Sequence, residues 1–343
     1  MLRASANLTA EDLKRVLDYY DIGQFNKAEA LKAGNAHAPK RIINTDRGQF
    51  LLKRRAKGKD DAYHVAFAHA VQLHLEKKGF PVPGIITTAK QQETALSLDG
   101  FVYELFHFIP GERYDGSIEA VMDTGRKLAM FHQYLKDFAS NLKPIRRTFH
   151  DSPSVRRHLK ILGSQPGSRH RDKNMRQIAY ELTVHYNHAS VHVNQLGFDS
   201  WEKLIVHGDW HPGNMLFSSQ KVVAVFDFDS VKVAPAVTDL ANATLQFSIV
   251  SGNPQPVDWP DRLDIEKLAN FVAGYKDVAK MLDDMLQSLL DEMIETMIAE
   301  AVLPIATTGF FGHLSGLEFL EMIRRKCNWI NENRKTLTEA ILD

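Results

Sequence analysis

Cysteine is almost missing from this chain of 343 residues, which contains a single one, Cys327. One cysteine cannot form an intramolecular disulfide or supply the thiolates of a typical structural zinc site. A small secreted domain held by disulfides is therefore excluded, and we expect a reducing, cytoplasmic location. The opening residues, MLRASANLTAEDLKRVLDYY, contain no apolar core of the kind found in signal peptides, so we expect no signal peptide.

An excess of charge of one sign is also missing, since 42 Lys and Arg residues face 42 Asp and Glu residues. This balance argues against a nucleic-acid partner, because nucleic-acid-binding proteins usually have a basic excess. No apolar run approaches the ~18 residues of a membrane-spanning helix, so we expect no membrane partner. The hydrophobic share of 44% and the charged share of 24% are those of an ordinary globular chain.

The pattern of helix and strand signals changes near residue 106. The first part favours a sheet and one long helix over residues 63–78. Its predicted strands cover residues 29–31, 40–44, 49–54, 82–87 and 101–108. From Pro110 onward helices dominate, the clearest over residues 117–139, and strands are predicted only near 204–207 and 222–228. The sequence therefore predicts an α+β protein with domains 1–106 and 107–343.

The most informative segment reads VHGDWHPGN over residues 206–214 and is followed by VFDFD over 225–229. Asp209 and Asn214 lie on a Gly- and Pro-containing loop between two short apolar runs, and the second run leads to Asp227. Phosphoryl transfer uses a carboxylate to accept the proton of the attacking hydroxyl, and a carboxylate with an amide oxygen to hold Mg²⁺. The segment therefore favours phosphoryl transfer.

The same motif, HGDWHPGN followed by DFD, resembles the signature of the aminoglycoside phosphotransferase-like family, which includes choline and homoserine kinases. Weaker matches are GQFLLK, GFPVP, YELFHFIPG, TGRKLAMFH and VTDLAN, so the resemblance extends over most of the chain. It implies a bilobal protein-kinase-like fold. The N-lobe would be a small antiparallel sheet with one long helix, and the C-lobe would be large and mainly helical.

The resemblance also implies roles for the residues of the motif. Asp209 would be the catalytic base, or at least orient the acceptor hydroxyl. Asn214 and Asp227 would bind magnesium, as two ions. His207 and Asp239 would brace the catalytic loop, and Asp229 would be a further structural support.

On the nucleotide side, the resemblance implies that Lys53 reaches the α- and β-phosphates of ATP. The backbone from Glu104 to Phe106 would meet the adenine edge. The turn that includes Gly34 and Asn35 would cover the phosphates, although it lacks the glycine-rich pattern of protein kinases.

One departure from the family pattern concerns the partner of Lys53. The family usually places a Glu in the small-lobe helix, where this chain reads Phe67-Ala68-His69-Ala70, with Glu76 two turns later. Either another group holds Lys53, such as a loop carboxylate, or the ion pair is absent.

Other interpretations of the polar clusters stay open. His207, Asp209 and His211 alternate as in some transition-metal sites, but a metallohydrolase would leave the DFD segment unexplained. The histidines at 185, 188 and 192 fit either a solvated helix face or a zinc site. The basic stretch 169–176 fits a surface segment or an anion-binding one.

Acidic residues are concentrated between 258 and 300, where 11 acidic side chains face 4 basic ones. They form either a solvated helix face or a negative wall that attracts a cationic acceptor.

The preferred function is an ATP- and Mg²⁺-dependent kinase. It would transfer the γ-phosphate to a hydroxyl of a small molecule of the aminoglycoside, amino alcohol, homoserine or sugar type. The alternative is a non-catalytic, nucleotide-binding or spore-coat-like structural member of the same family. The presence of Asp209, Asn214 and Asp227 together favours the enzyme.

Overall fold

The computed structural model describes residues 8–31, 38–142, 144, 148–164, 169–251 and 254–342, with the backbone alone at 169–172. In chain order the strands are β1 (Phe25–Leu31), β2 (Lys40–Thr45), β3 (Gly48–Arg54), β4 (Ile85–Ile86), β5 (Leu96–Leu98), β6 (Phe101–His107), β7 (Lys203–Val206), β8 (Met215–Ser218), β9 (Lys221–Val225), β10 (Lys232–Pro235), β11 (Phe310–Phe311) and β12 (Leu314–Ser315). The helices are α1 (Ala10–Leu17), α2 (Ala62–Lys77), α3 (Ile118–Tyr134), α4 (Pro153–Ser164), α5 (Arg169–Gln195), α6 (Ala236–Ser248), α7 (Ile265–Lys276), α8 (Asp283–Thr308), α9 (Gly316–Glu332) and α10 (Arg334–Leu342).

The described residues form two compact units. The first unit comprises those within Met1–Tyr114, Tyr134–Pro144 and Gly213–Val231. The second unit comprises those within Asp115–Gln133, Ile145–Pro212 and Lys232–Asp343. The predicted lobe boundary near residue 106 stays a prediction. The first unit also includes two segments from later in the chain, Tyr134–Pro144 and Gly213–Val231.

The first unit contains an antiparallel sheet in the order β1-β2-β3-β6-β4, with β5 also paired to β6. Strands β2 and β3 meet in a tight hairpin in which Thr45 lies opposite Gly48, as the turn residues predict. Alternate strand residues point to one face, so Ile43 and Leu52 are fully buried against Val16 of α1. The sheet therefore holds β3 and β6 side by side at its centre.

A second, two-stranded sheet in the first unit is the hairpin of β8 and β9. Its turn residues Ser219 and Gln220 have φ values of 46° and 65°. Two consecutive residues with positive φ are typical of a type I′ turn, whose twist matches that of the flanking strands. The tight turn fixes which residues face each other at the open end of the hairpin.

The second unit is mainly helical and packs around α8, whose residues are buried over most of the helix. Helices α3 and α7 approach closely at two glycines. A Cβ atom on Gly125 would lie 2.2 Å from the Phe271 carbonyl oxygen, and one on Gly274 would lie 2.1 Å from that of Met122. Because any larger residue would clash there, the glycines permit the backbone contact that sets α3 against α7.

Several predicted boundaries differ from the structure. The strand expected over 82–87 is limited to β4, because Pro81 and Pro83 cannot donate to a strand ladder. The helix expected over 117–139 ends at Tyr134. Strands β8 and β10 were not predicted, because neither contains consecutive β-branched residues such as Ile205 and Val206 of the equally short β7.

Candidate functional site

The hairpin of β8 and β9 brings Asn214 and Asp227 to the same end of the first unit. Met215 lies opposite Val225 in antiparallel register, so the residue before β8 and the residues after β9 are neighbours. The amide of Phe226 donates to the carbonyl oxygen of Asn214 at 2.9 Å. Two residues that the sequence predicts as metal ligands are thus positioned by one hairpin.

Asp227 itself has a left-handed backbone, with φ 59° and ψ 66°. Asp adopts this conformation more readily than most residues, at a modest cost in free energy. The chain turns here from β9 into a single helical turn at Phe228–Ser230. The donor set of Asn214 and Asp227 consists of an amide and a carboxylate, whose oxygens suit Mg²⁺.

Lys53 on β3 lies among three carboxylates of the first unit. Its Nζ is 3.7 Å from Glu104 Oε2, 3.8 Å from Asp229 Oδ2 and 3.9 Å from Asp227 Oδ1. Burial lowers the pKa of Lys53, but the three carboxylates outweigh burial and raise it. Lys53 therefore carries a positive charge that is held next to the predicted metal ligand Asp227.

The side chain of Glu104 is the partner that the sequence pattern left open. Glu104 lies directly opposite Lys53 in the register of β3 and β6. On α2, at the place where the family pattern has a Glu, His69 Nε2 contacts Glu104 Oε1 at 2.7 Å. The carboxylate that pairs with Lys53 thus comes from a strand, and the helix contributes the histidine that holds this carboxylate.

Three basic side chains, Lys53, Arg55 and His69, surround the carboxylate of Glu104. Burial raises the pKa of Glu104, but Lys53, the hydrogen bond from His69 and Arg55 outweigh burial and lower it to about 2. Arg55 also donates from Nη1 to Asp229 Oδ1 at 2.9 Å. Burial raises the pKa of Asp229. Asp229 thus lies beside both Arg55 and Lys53, and its supporting role stays a prediction.

In the second unit, Asp239 holds the backbone at the start of the HGD motif. The amides of His207 and Gly208 donate to Asp239 Oδ2 and Oδ1 at 2.6 Å and 2.7 Å. His132 Nε2 lies 3.2 Å from the same carboxylate, and its Nδ1 contacts Tyr275 Oη at 2.8 Å. Burial raises the pKa of Asp239, but these hydrogen bonds and the nearby histidines outweigh burial and lower it.

Asp209 lies two residues beyond the amide of His207, and its side chain is 42% exposed. The ring of His211 lies 3.7 Å from Asp209 Oδ1. Burial raises the pKa of Glu300 on α8 to about 7, and the negative charge of Asp209 adds to the increase. Burial lowers the pKa of Lys232 despite the opposing effect of Glu300 and Asp209. Asp209 therefore lies in an environment that contains a second carboxyl group and a half-buried lysine.

The sequence did not predict the contacts of Glu300 or those of the Glu104 side chain. Asn242 Nδ2 donates to Glu300 Oε1 at 2.7 Å, and Gln246 Nε2 donates to Oε2 at 3.3 Å. The sequence signal for this contact is weak: Asn242 ends the VTDLAN segment, and nothing in the spacing connects it to α8. The signal for Glu104 was stronger, since an acid in an apolar strand must find a partner.

The sequence also predicts that a turn with Gly34 and Asn35 covers the phosphates and that the backbone from Glu104 to Phe106 contacts adenine. Gly34 and Asn35 lie outside the described residues. Glu104 and Phe106 lie within β6, which ends at His107. Their contact with adenine stays a prediction.

The acidic residues of α8 do not all lie on a solvated face. Asp283 and Asp284 are exposed, as that interpretation expects. Further along α8, however, Asp291 is buried and accepts two bonds from Arg334, at 2.9 Å and 2.8 Å. Two other acids of the helix, Glu292 and Glu295, are also buried.

The histidines considered for zinc have separate partners. His185 contacts Asn328 at 2.8 Å, whereas His192 contacts Asp291 at 2.8 Å. Among the described residues, one group of three acids and histidines has metal-ligand spacing, and neither the 185–192 histidines nor the HGDWH motif belongs to it. The basic stretch 169–176 lies partly outside the residues whose side chains are described.

A family model described as the phosphotransferase enzyme family matches residues 27–286. A microcompartment-associated aminopropanol kinase has a TM-score of 0.71 at 12% identity, over 96% of this chain and 99% of that one. An amicoumacin kinase, solved with AMP-PNP and Ca²⁺, has a TM-score of 0.68 at 14% identity, over 94% of each chain. An aminoglycoside phosphotransferase from Alicyclobacillus acidocaldarius has a TM-score of 0.67 at 15% identity, over 99% of this chain and 97% of that one.

At such low identities the solved structures establish the fold, and they confirm the α+β protein-kinase-like class expected from the sequence. The family model confirms the resemblance that the HGDWHPGN and DFD motifs indicated. A comparison with curated proteins finds no match. In the part of the chain that the structure describes, no helix has the length and apolar character needed to cross a bilayer.

Proposed function

The chain belongs to the phosphotransferase enzyme family, and from this premise we propose that it is an ATP- and Mg²⁺-dependent kinase. It would transfer the γ-phosphate of ATP to a hydroxyl group of a small molecule. The observation that carries this proposal is the 3.9 Å contact between Lys53 and Asp227. It supports a site in which the lysine would bind phosphate and the carboxylate would bind metal.

Lys53 would bind the nucleotide phosphates as a permanent cation. Glu104 would hold the Lys53 ammonium from the neighbouring strand, since the two residues lie opposite each other in β3 and β6. His69 and Arg55 would in turn fix Glu104. Such preorganised charge needs no rearrangement during the reaction, which is how phosphoryl transfer is mainly catalysed.

Asn214 and Asp227 are the residues that would hold magnesium. Their donor set of amide and carboxylate oxygens fits this hard cation, and the β8–β9 hairpin fixes both at one end. When bound, the metal would neutralise charge on the phosphates of the nucleotide. We propose two ions, as the family resemblance implies.

Asp209 would orient the acceptor hydroxyl and accept its proton. Its exposed carboxylate can contact a ligand from solvent, and the preceding backbone is fixed by Asp239 through two amide hydrogen bonds. The bonds from His132 and the two amides keep Asp239 ionised, so this support persists across the physiological pH range.

An amine-bearing alcohol is the acceptor class that we favour. Burial raises the pKa of Glu300 to about 7, and the nearby negative charge of Asp209 adds to this increase. A cationic acceptor would relieve this repulsion by pairing with the carboxylates. An aminopropanol kinase and an aminoglycoside phosphotransferase are among the structures with this fold, and both names denote acceptors with amino groups.

A non-catalytic protein would be favoured if no carboxylate replaced the helix Glu that the family pairs with the strand lysine. Glu104 of β6 supplies such a carboxylate, 3.7 Å from the Lys53 ammonium. This contact favours the enzyme over a structural role.

The test combines nucleotide binding with a panel of acceptors. Saturating MgATP should raise the Tm, since a ligand at 100 times its Kd adds about 2.7 kcal/mol to stability. Asp227→Ala should lose the Mg²⁺-dependent part of ATP binding. ADP release should then depend on an acceptor drawn from aminopropanol, ethanolamine, choline and kanamycin, with uncharged sugars as controls.

Two results would contradict the proposal at different points. No Tm change with MgATP, MgADP or MgGTP would exclude a nucleotide-dependent enzyme. Turnover with uncharged sugars alone would keep the kinase and exclude the amine-bearing acceptor.

A further inference from the structure

We propose that His150, Glu292 and Glu295 form a binding site for one divalent transition-metal ion, of which Zn²⁺ is the best fit. This site lies within the second unit and is separate from Asn214 and Asp227. It does not depend on the proposed kinase activity. The proposal rests on how the three side chains are arranged and on how their other atoms are held.

The three potential ligand atoms lie within 4.8 Å of one another. His150 Nδ1 is 2.7 Å from Glu295 Oε2 and 3.9 Å from Glu292 Oε1. All three residues are buried, and the two glutamates come from adjacent turns of α8. Residues three apart on a helix share one face, so both carboxyl groups point to the same histidine.

The remaining polar atoms of two ligands are already engaged elsewhere. His150 Nε2 lies 3.1 Å from Asn194 Oδ1, so Nε2–H donates to that oxygen. Nδ1 shares a proton with Glu295 Oε2 at 2.7 Å, and a metal ion would displace this proton and bind the Nδ1 lone pair. Glu295 Oε1 accepts from Ser190 Oγ at 2.6 Å and from the amide of Asp151 at 3.1 Å. Hydrogen bonds of this kind orient the ligands of known metal sites.

Glu292 gives the independent observation that points to a ligand. Its side chain is 1% exposed, and Oε1 has no hydrogen-bond partner among the described residues. A buried carboxyl oxygen without a partner carries a substantial free-energy cost. This oxygen is directed towards His150, where a metal ion would satisfy it.

Charge and size are both compatible with a small divalent ion. A bound M²⁺ ion would displace the protons that the three side chains hold. The neutral histidine and two carboxylates then carry two negative charges, which the ion neutralises inside the fold. Zn²⁺ binds nitrogen and oxygen at about 2.0–2.2 Å, which requires ligand atoms roughly 3.3–3.5 Å apart in a tetrahedral arrangement. The 2.7 Å and 3.9 Å separations need small adjustments in opposite directions to reach this range.

A bound ion would connect the segment before α4, which contains His150, to the central helix α8. Asn194 and Ser190, both on α5, would hold the ligands from the other side. The inferred role is therefore a structural one, in which the metal stabilises the packing of α5 and α8.

The experiment measures metal content and metal-dependent stability of the full chain. After treatment with a chelator and exchange into metal-free buffer, wild type should bind one equivalent of Zn²⁺ by calorimetry and gain Tm. Mn²⁺ and Mg²⁺ are titrated separately as comparison ions. Glu292→Gln should weaken Zn²⁺ binding at least 100-fold and lose the Tm gain.

Matched variants separate this site from other zinc-binding positions. Glu300→Gln makes the same substitution two turns further along α8 and should bind Zn²⁺ as wild type does. Asp227→Ala should also keep Zn²⁺ binding. Circular dichroism of metal-free Glu292→Gln checks folding, and if this variant fails to fold, Glu295→Gln takes its place with the same expected loss.

The proposal is overturned if wild type binds neither Zn²⁺ nor Mn²⁺. It is also overturned if Glu292→Gln and Glu295→Gln bind Zn²⁺ as tightly as wild type. Either outcome would leave the cluster as a buried network that shares protons.

Discussion

Two buried carboxyl groups, one in each unit, have pKa values that are shifted in opposite directions. In the first unit, Glu104 is almost fully buried, yet its pKa falls to about 2 despite burial, because Lys53, His69 and Arg55 surround it. In the second unit, Glu292 is equally buried, and burial together with Glu295 raises its pKa well above the usual range. Burial alone therefore does not decide the charge of these groups.

The difference follows from the charges that each fold places nearby. The first unit matches Glu104 and Asp229 with Lys53 and Arg55, which suits a site that keeps a fixed electrostatic field. The second unit places Glu292 on α8 next to a second acid, Glu295, and His150 Nδ1 lies 3.9 Å from Glu292 Oε1. Such a surplus of carboxylates is suited to binding a cation, either a metal or an amine.

The largest loss of stability is expected from removing the Glu104 carboxylate of the first unit. Glu104→Ala leaves Lys53 and His69 without a buried partner, and breaking such a pair typically costs about 3–5 kcal/mol of stability. Chemical denaturation of the variant and wild type measures this loss.

The isosteric variant Glu104→Gln keeps the volume but loses the charge. We expect the KM for ATP to rise about 10-fold, because Lys53 loses the charge of the closest of its three carboxylates. Glu76→Gln is the matched control, because Glu76 is the exposed acid of α2. Unchanged stability and KM in both Glu104 variants would remove the assigned role of Glu104.

A smaller effect is expected from the pH dependence of the second unit. The pKa of Glu300 is about 7 in the folded chain, above the ordinary value of 4.5. Between about pH 4.5 and 7, Glu300 therefore holds a proton in the folded state that it has lost in the unfolded state. The stabilisation of the folded state by this proton is fully present below about pH 4.5. It is lost as the pH rises through about 7.

Glu300→Gln removes this titration, so stability should decline less between pH 5 and 8 than in wild type. The expected difference is roughly 1–3 kcal/mol. Urea denaturation at pH 5, 6, 7 and 8 measures it, and parallel profiles for the two proteins would show that Asp209 and burial do not act on Glu300 as described.

The smallest effect is expected for an exposed ion pair of the first unit. Arg15 and Asp99 are 2.6 Å apart, but both side chains are about half exposed. Asp99→Asn tolerates the positive φ of this position and should change stability by less than ~1 kcal/mol. A loss of stability as large as that of Glu104→Ala would show that an exposed ion pair can stabilise the fold as much as a buried one.

The candidate catalytic motif can be recognised in the sequence because its residues are close together along the chain. Asp209 and Asn214 share one loop, and Asp227 follows one short hairpin later. The fold class was also predictable, since strand and helix signals separate along the chain and the motif identifies the family.

Contacts between distant segments could not be predicted in the same way. Glu104 pairs with Lys53 through the register of β3 and β6, and a single-residue shift would place its side chain on the other face. His150 and Glu295 meet because α8 packs against α5 and the segment before α4. Spacing within the sequence contains no signal for either contact.

The most direct test of the account is Asp209→Asn, measured for stability, MgATP affinity and turnover on one preparation. The substitution keeps the shape but removes the negative charge and the basicity. We expect Tm and MgATP affinity close to wild type, and a fall in kcat and kcat/KM on the order of 10²–10⁴. A folded, MgATP-binding variant with wild-type turnover would contradict the assignment of Asp209 as the proton acceptor.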